Sequence, residues 1–136
     1  PHTQVGACIV NEDKHIVGVG YNGMPNGCDD SVYPWGRTGD FADQKYPYVV
    51  HAELNAILNA STSLKGCRIY VSLFPCNECC KAIIQSGIRE VVYLSDKYAA
   101  TDSTKASKRM LASAGVTCRR METDLTSVPV NFVAEE

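Results

Sequence analysis

No apolar run in this chain approaches the roughly 18 residues that a membrane-crossing helix needs, so the sequence offers no transmembrane segment. A basic excess is missing too. Lys and Arg number 13 against 15 Asp and Glu, a net charge of −2, which argues against a nucleic-acid binder. No secretory signal peptide, internal repeat or low-complexity tract is visible. An initiator methionine is also absent. The chain opens at Pro1 and enters a strand-like run by Val5, so a preceding segment, with any targeting signal on it, is expected outside these residues. Even pairing of cysteines is impossible: there are seven, and Cys79 and Cys80 are adjacent. A disulfide framework is therefore the poorer reading. A reduced, cytoplasmic compartment with some thiols on metal is the better one. Cys8, Cys67 and Cys118 stand in apolar, strand-like runs and are expected as buried small hydrophobes.

The 136 residues, 45% hydrophobic and 21% charged, describe one ordinary globular domain spanning 1–136. Charge is uneven along it. Residues 1–60 carry 3 basic and 7 acidic side chains, a net −4, and residues 61–136 carry 10 and 8, a net +2. That places any side-chain anion site in the second half.

Strand-like runs at Val5 to Val10 and His15 to Tyr21 flank Asn11-Glu12-Asp13-Lys14, which predicts an antiparallel hairpin. Asn22 to Tyr48 is polar and turn-rich, and long irregular segments in compact domains are usually functional or disordered. The aromatics Tyr33, Trp35, Phe41, Tyr46 and Tyr48 favour order. Helices are predicted over His51 to Ala60, Cys76 to Ser86 and Thr101 to Ala114, the last two stopped by Gly87 and Gly115. Strands are predicted over Cys67 to Leu73, Glu90 to Ser95 and Val116 to Met121. The order β-β-α-β-α-β-α-β implies parallel neighbours from the third strand on. The expected fold is α/β, three-layer α/β/α, with a mixed five-stranded sheet and helices on both faces.

One constellation carries chemistry. His51-Ala52-Glu53 is followed by Pro75-Cys76-Asn77-Glu78-Cys79. Cys76 and Cys79, at i and i+3, share one side of a helical first turn, and Pro75 suits a helix start. The positive helix N-terminus favours thiolates. His51, Cys76 and Cys79 make three zinc ligands and leave a fourth position open, as catalytic rather than structural zinc requires. Zinc brings the pKa of a bound water from about 16 toward about 7. Glu53 stands where one carboxylate can shuttle the protons. Cys76-x-x-Cys79 alone would equally suit a thioredoxin-like redox pair or half a structural zinc knuckle. Cys80, at i+4 from Cys76, is read as packed core.

H-x-E followed by P-C-x-x-C is the signature of zinc nucleobase deaminases. Beyond it, His51-Ala52-Glu53-Leu54-Asn55-Ala56, Leu73-Phe74-Pro75-Cys76-Asn77-Glu78-Cys79, the glycine-rich Gly20 to Cys28 and Ser95-Asp96-Lys97-Tyr98 resemble the deoxycytidylate (dCMP) deaminase family. The likeness runs from about Gln4 to about Val116. It implies hydrolysis of dCMP to dUMP and ammonia, with Glu53 as catalytic acid–base and one catalytic Zn2+ per chain. Some phage relatives bind a second zinc through histidines in the long loop. This chain has only His2, His15 and His51, and none falls in that loop.

The resemblance implies substrate contacts from Asn22, at the sugar, and Ala52. Tyr98, with Lys97 the weaker candidate, follows a parallel strand and is expected near the 5′-phosphate, since ligands of such sheets gather at the carboxyl ends of strands. Asn22 reads equally as a turn residue, and Lys97 and Tyr98 equally as a solvated loop. It also implies a hexamer activated by dCTP and inhibited by dTTP, with Mg2+ accompanying the triphosphate. The effector loop would be Asn22, Gly23, Pro25, Asn26 and Gly27. Nucleic acid and membrane are not expected partners. The family's helix ahead of the first strand is not expected here. The alternatives are the same chemistry on dCTP or another cytosine nucleotide, or a catalytically silent, zinc-stabilised binding module.

Overall fold

The computed structural model describes residues 5–125 together with 127 and 129. Five strands form one sheet in the order β2-β1-β3-β4-β5. They are β1 (Gly6–Val10), β2 (Ile16–Tyr21), β3 (Arg68–Leu73), β4 (Glu90–Ser95) and β5 (Thr117–Arg120). The helices are α1 (Ala52–Leu58), α2 (Asn77–Gln85) and α3 (Asp102–Ser113). The expected mixed α/β sheet is therefore present. β1 runs antiparallel to both β2 and β3, while β3, β4 and β5 are parallel.

The hairpin closes where Asn11 serves twice. Its backbone exchanges bonds with His15 and Lys14 at 3.0 Å, and its side-chain oxygen accepts from the His15 amide at 2.9 Å. Lys14 takes a left-handed φ of 65° there. The remaining crossovers each advance the chain across the sheet in one direction. Right-handed connections of that kind deliver successive helices to the same face. Accordingly Ala52 and Ala56 of α1, Cys80 and Ile83 of α2 and Leu111 of α3 share one buried cluster with Ala7, Ile9, Ile69, Val71 and Val91. Among the described residues all three helices cover this one face. A helix ahead of β1 would concern residues outside the described ones.

α1 lies unusually close to β2. A Cβ built on Gly18 would stand 2.5 Å from the Ala56 carbonyl oxygen, and one on Gly20 would overlap the Ala52 oxygen and the Ala56 nitrogen. Two glycines thus let the helix rest on the backbone of the strand. Of the three cysteines expected in the interior, Cys67 is buried and Cys8 half-buried, but Cys118 is exposed. β5 is Thr-Cys-Arg-Arg, has one neighbouring strand and exposes every one of its residues, so a cysteine in it is not buried. Among the described residues no helix is long and apolar enough to cross a membrane.

Candidate metal centre and cavity

β2, β3 and β4 end on the same edge of the sheet, because β2 and β3 are both antiparallel to β1 and β4 is parallel to β3. Open α/β sheets collect ligands at the carboxyl ends of their strands. Here each strand end feeds toward a helix N-terminus. His51 is the N-cap of α1, Cys76 that of α2 and Thr101 that of α3.

The first two caps meet. His51 Nδ1 lies 3.3 Å from Cys76 Sγ and 3.5 Å from Cys79 Sγ, and all three atoms lie within 4.8 Å of one another. A tetrahedral zinc with bonds of about 2.3 Å to sulfur and about 2.0 Å to nitrogen separates such ligands by about 3.5 Å. The donor set fits zinc in number, softness and spacing. Without metal, the thiols share charge unequally. Hydrogen bonds from Cys79 and from His51 pull the Cys76 thiol down to about 4. The Cys79 thiol, next to that thiolate and buried, is pushed up. The hydrogen bond with Cys76 raises His51 against the opposing effect of burial. A bound cation would remove the remaining thiol proton outright.

Glu53 occupies the first turn of α1, 4% exposed. Burial raises its carboxyl above the ordinary range, as suits a group that must carry a proton near neutrality. Cys80 is fully buried, its sulfur 3.8 Å from the Pro75 oxygen, consistent with core rather than ligand. α1 keeps its register through two asparagines. Asn22, just past β2, accepts from the Ala52 amide at 2.9 Å, and Asn55 donates to the Tyr21 oxygen at 2.8 Å.

A cavity of about 460 Å³ opens beside this cluster, within the range of small-molecule sites. Of the residues singled out in the sequence, Asn22, His51, Glu53, Cys76 and Tyr98 line it. Cys79 completes the cluster from behind. Ala52 is fully buried and is held through its amide. Lys97 is not among the lining residues; its Nζ rests 5.3 Å from the Tyr98 ring centroid. Gly23, Pro25, Asn26 and Gly27 also stand outside the lining. Gly23 pairs with Val50, and the Cys28 amide donates to the Pro25 oxygen at 2.9 Å.

Sequence reasoning missed Arg37, Lys45 and Tyr46 of the long loop and Thr101, Ser103 and Thr104 around the start of α3, all of which line the cavity. The charge balance of the halves did not single them out, yet two of the three cations before residue 61 line the cavity. A Lys-Tyr pair six residues ahead of the zinc histidine was the only available signal.

Comparison with known proteins agrees with this geometry. The family model described as the cytidine and deoxycytidylate deaminase zinc-binding region matches residues 1–95. The chain is 56% identical to human deoxycytidylate deaminase over 134 residues, covering 97% of this chain and 75% of that protein. It is 50% identical to a probable deoxycytidylate deaminase of Drosophila melanogaster, covering 97% and 68%. Among solved structures it is similar to the dCMP deaminase of cyanophage S-TIM5 in complex with dCMP and dUMP. There the TM-score is 0.69 and the identity 28%, with 89% of this chain and 83% of that chain covered. Family model, relatives and the His51–Cys76–Cys79 cluster converge, and the chain belongs to the cytidine and deoxycytidylate deaminase family of zinc hydrolases.

Proposed function

We propose that this chain deaminates dCMP to dUMP and ammonia, as one domain spanning residues 1–136. The observation that carries this reading is the buried Glu53 two residues from His51 of a ligand trio, with Glu53, His51 and Cys76 lining one cavity. The relatives' names supply the nucleotide. His51, Cys76 and Cys79 would hold the zinc, which when bound supplies Lewis-acid activation of water near neutral pH.

The protein's own part is positioning and proton traffic. Glu53 accepts a proton from the attacking water as the C4–O bond forms, and gives one to ring N3. It then takes the remaining proton from the C4 hydroxyl and gives it to the C4 amino group, so that the C–N bond breaks, ammonia leaves and the C4 oxygen becomes the carbonyl of the product. A desolvated carboxyl suits this because both of its protonation states must be reachable in one turnover. Asn22 has its oxygen committed to Ala52, which leaves its amide N–H groups to meet the sugar. Tyr98 closes the adjacent wall.

The same reading extends to regulation: activation by dCTP, inhibition by dTTP, Mg2+ with the triphosphate, and a hexamer. Asn22, Gly23, Pro25, Asn26 and Gly27 would form the effector loop. Two observations support this. The turn from Pro25 carries a positive φ of 86° at Gly27, so bare backbone is available to phosphates. Asn22 lines the cavity while the other four residues stand outside it, so one loop joins two places. Exposed Ile16, Val19 and Tyr21 on edge strand β2 favour self-association. The test is uracil-nucleotide release from dCMP beside CMP, deoxycytidine and dCTP, each with and without dCTP plus Mg2+. Zinc-loaded protein inert on all four would sink the proposal.

A further inference from the structure

Arg37 and Lys45 stand eight positions apart in the long loop, and both line the cavity. The Lys45 amide donates to the Gly36 oxygen at 2.8 Å, which brings the origins of the two side chains together. Desolvation lowers the Lys45 ammonium, and repulsion from Arg37 adds to it. Asp40 and Asp43 lie between them in sequence, yet among the described residues neither cation takes part in an ion pair. Lys45 Nζ is 5.7 Å from the Tyr46 ring centroid. Two adjacent positive charges without a counter-ion are unfavourable in themselves. The arrangement becomes favourable when a dianion lies against both.

The opposite wall lacks this unmet demand. Thr101 Oγ1 donates to the Tyr98 oxygen at 2.8 Å and accepts from the Thr104 amide at 3.3 Å. Ser103 Oγ donates to Asn77 Oδ1 at 2.9 Å and accepts from the Asn77 amide at 3.2 Å. Ser103 thus ties the start of α3 to that of α2, and Thr101 caps α3.

We infer that Arg37 and Lys45 anchor the 5′-phosphate of the nucleotide and set the preference of this site for a nucleotide over its nucleoside. The inference rests on the cytosine-nucleotide reading above. Arg37 supplies a planar fork and Lys45 a compact charge, the usual pair of ways to meet phosphate oxygens. The ring then points toward Glu53 from a phosphate held at the loop side of the cavity.

The experiment compares zinc-loaded wild type with Arg37→Gln, Lys45→Gln and Arg37→Lys. It measures kcat and KM for dCMP, and by calorimetry the dissociation constants of dUMP and deoxyuridine. Each Gln variant is expected to raise KM and the dUMP constant roughly 10- to 100-fold. Zinc content and deoxyuridine binding should stay at wild-type levels, with kcat changing only a few-fold. Arg37→Lys should recover part of the loss. Unchanged dUMP binding, or an equal loss for deoxyuridine, would overturn the assignment. So would a selective loss of dUMP binding in Ser103→Ala that the Gln variants lack. A wild type that binds dUMP through these cations yet turns over no dCMP would uphold the anchor and remove the reading beneath it.

Discussion

Asn22 Oδ1 accepts a hydrogen bond from the backbone amide of Ala52, 30 positions away. α1 needs this bond because its own N-cap, His51, makes no side-chain capping bond and turns its ring toward the two thiols instead. An unpaired amide at a helix start has to be satisfied from elsewhere, and the end of β2 provides the acceptor. The two functions of Asn22 can be separated. Asn22→Ala should lower stability by about 1 kcal/mol and reduce turnover. Asn22→Asp keeps an acceptor for Ala52 but loses the amide donors, so it should melt near wild type while turnover still falls. Thermal melts beside dCMP kinetics check both, and equal melting losses for the two variants would contradict this division.

Glu53→Gln should leave one zinc per chain while turnover drops by roughly 10²- to 10⁴-fold, the usual worth of a positioned acid–base group. Glu53 is not needed for the ligand trio, whose distances involve only His51, Cys76 and Cys79. Metal analysis and a rate measurement on the same preparation decide it. Loss of zinc together with activity would make Glu53 a structural residue.

Gly20→Ala should be among the most damaging single-methyl additions in the molecule. Its Cβ meets backbone atoms of Ala52 and Ala56 rather than a movable side chain, so α1 must shift, at a cost of about 1–3 kcal/mol. Because α1 begins at the zinc histidine, zinc occupancy should fall as well. Gly6→Ala, where a Cβ would meet nothing within 4 Å, is the control and should change neither melting temperature nor metal content.

Chelation should change thiol chemistry at one place. In metal-free protein the Cys76 thiol sits near 4, so above about pH 5 it is already thiolate. Its alkylation should then stay flat as pH rises from 6 to 8. Desolvation holds the exposed Cys118 thiol above its ordinary value, so its reaction should accelerate over the same range. The buried Cys67 and Cys80 should resist in either form. Mass-spectrometric mapping of alkylated cysteines, with and without chelator, reads all of this.

Much of this site is legible along the chain because its key parts are local. Cys76 and Cys79 share one helical turn, and His51 and Glu53 share another, so spacing alone brings each pair to one side. The strand from Glu90 to Ser95 reads correctly to the residue, since both sheet neighbours give it a full apolar pattern. Arg37 and Lys45 were not legible. Their approach depends on one backbone bond inside an irregular loop, which leaves no period to read, and averaging charge over half the chain hides them. Cys118 misled because a strand-like run does not say whether the strand lies at the edge of the sheet, and beside Arg119 and Arg120 this one does. The helices were expected on both faces. In the described residues all three lie on one, which follows from the direction in which the crossovers advance rather than from any helix's own sequence.

The hairpin turn at Asn11 to His15 lies at the end of the sheet opposite the cavity, and Glu12, Asp13, Lys14 and His15 are all exposed. A dye, an affinity tag or a surface linkage placed there would leave every helix N-terminus of the site untouched. The molecule thus carries its own handle, one strand length away from the place where it works.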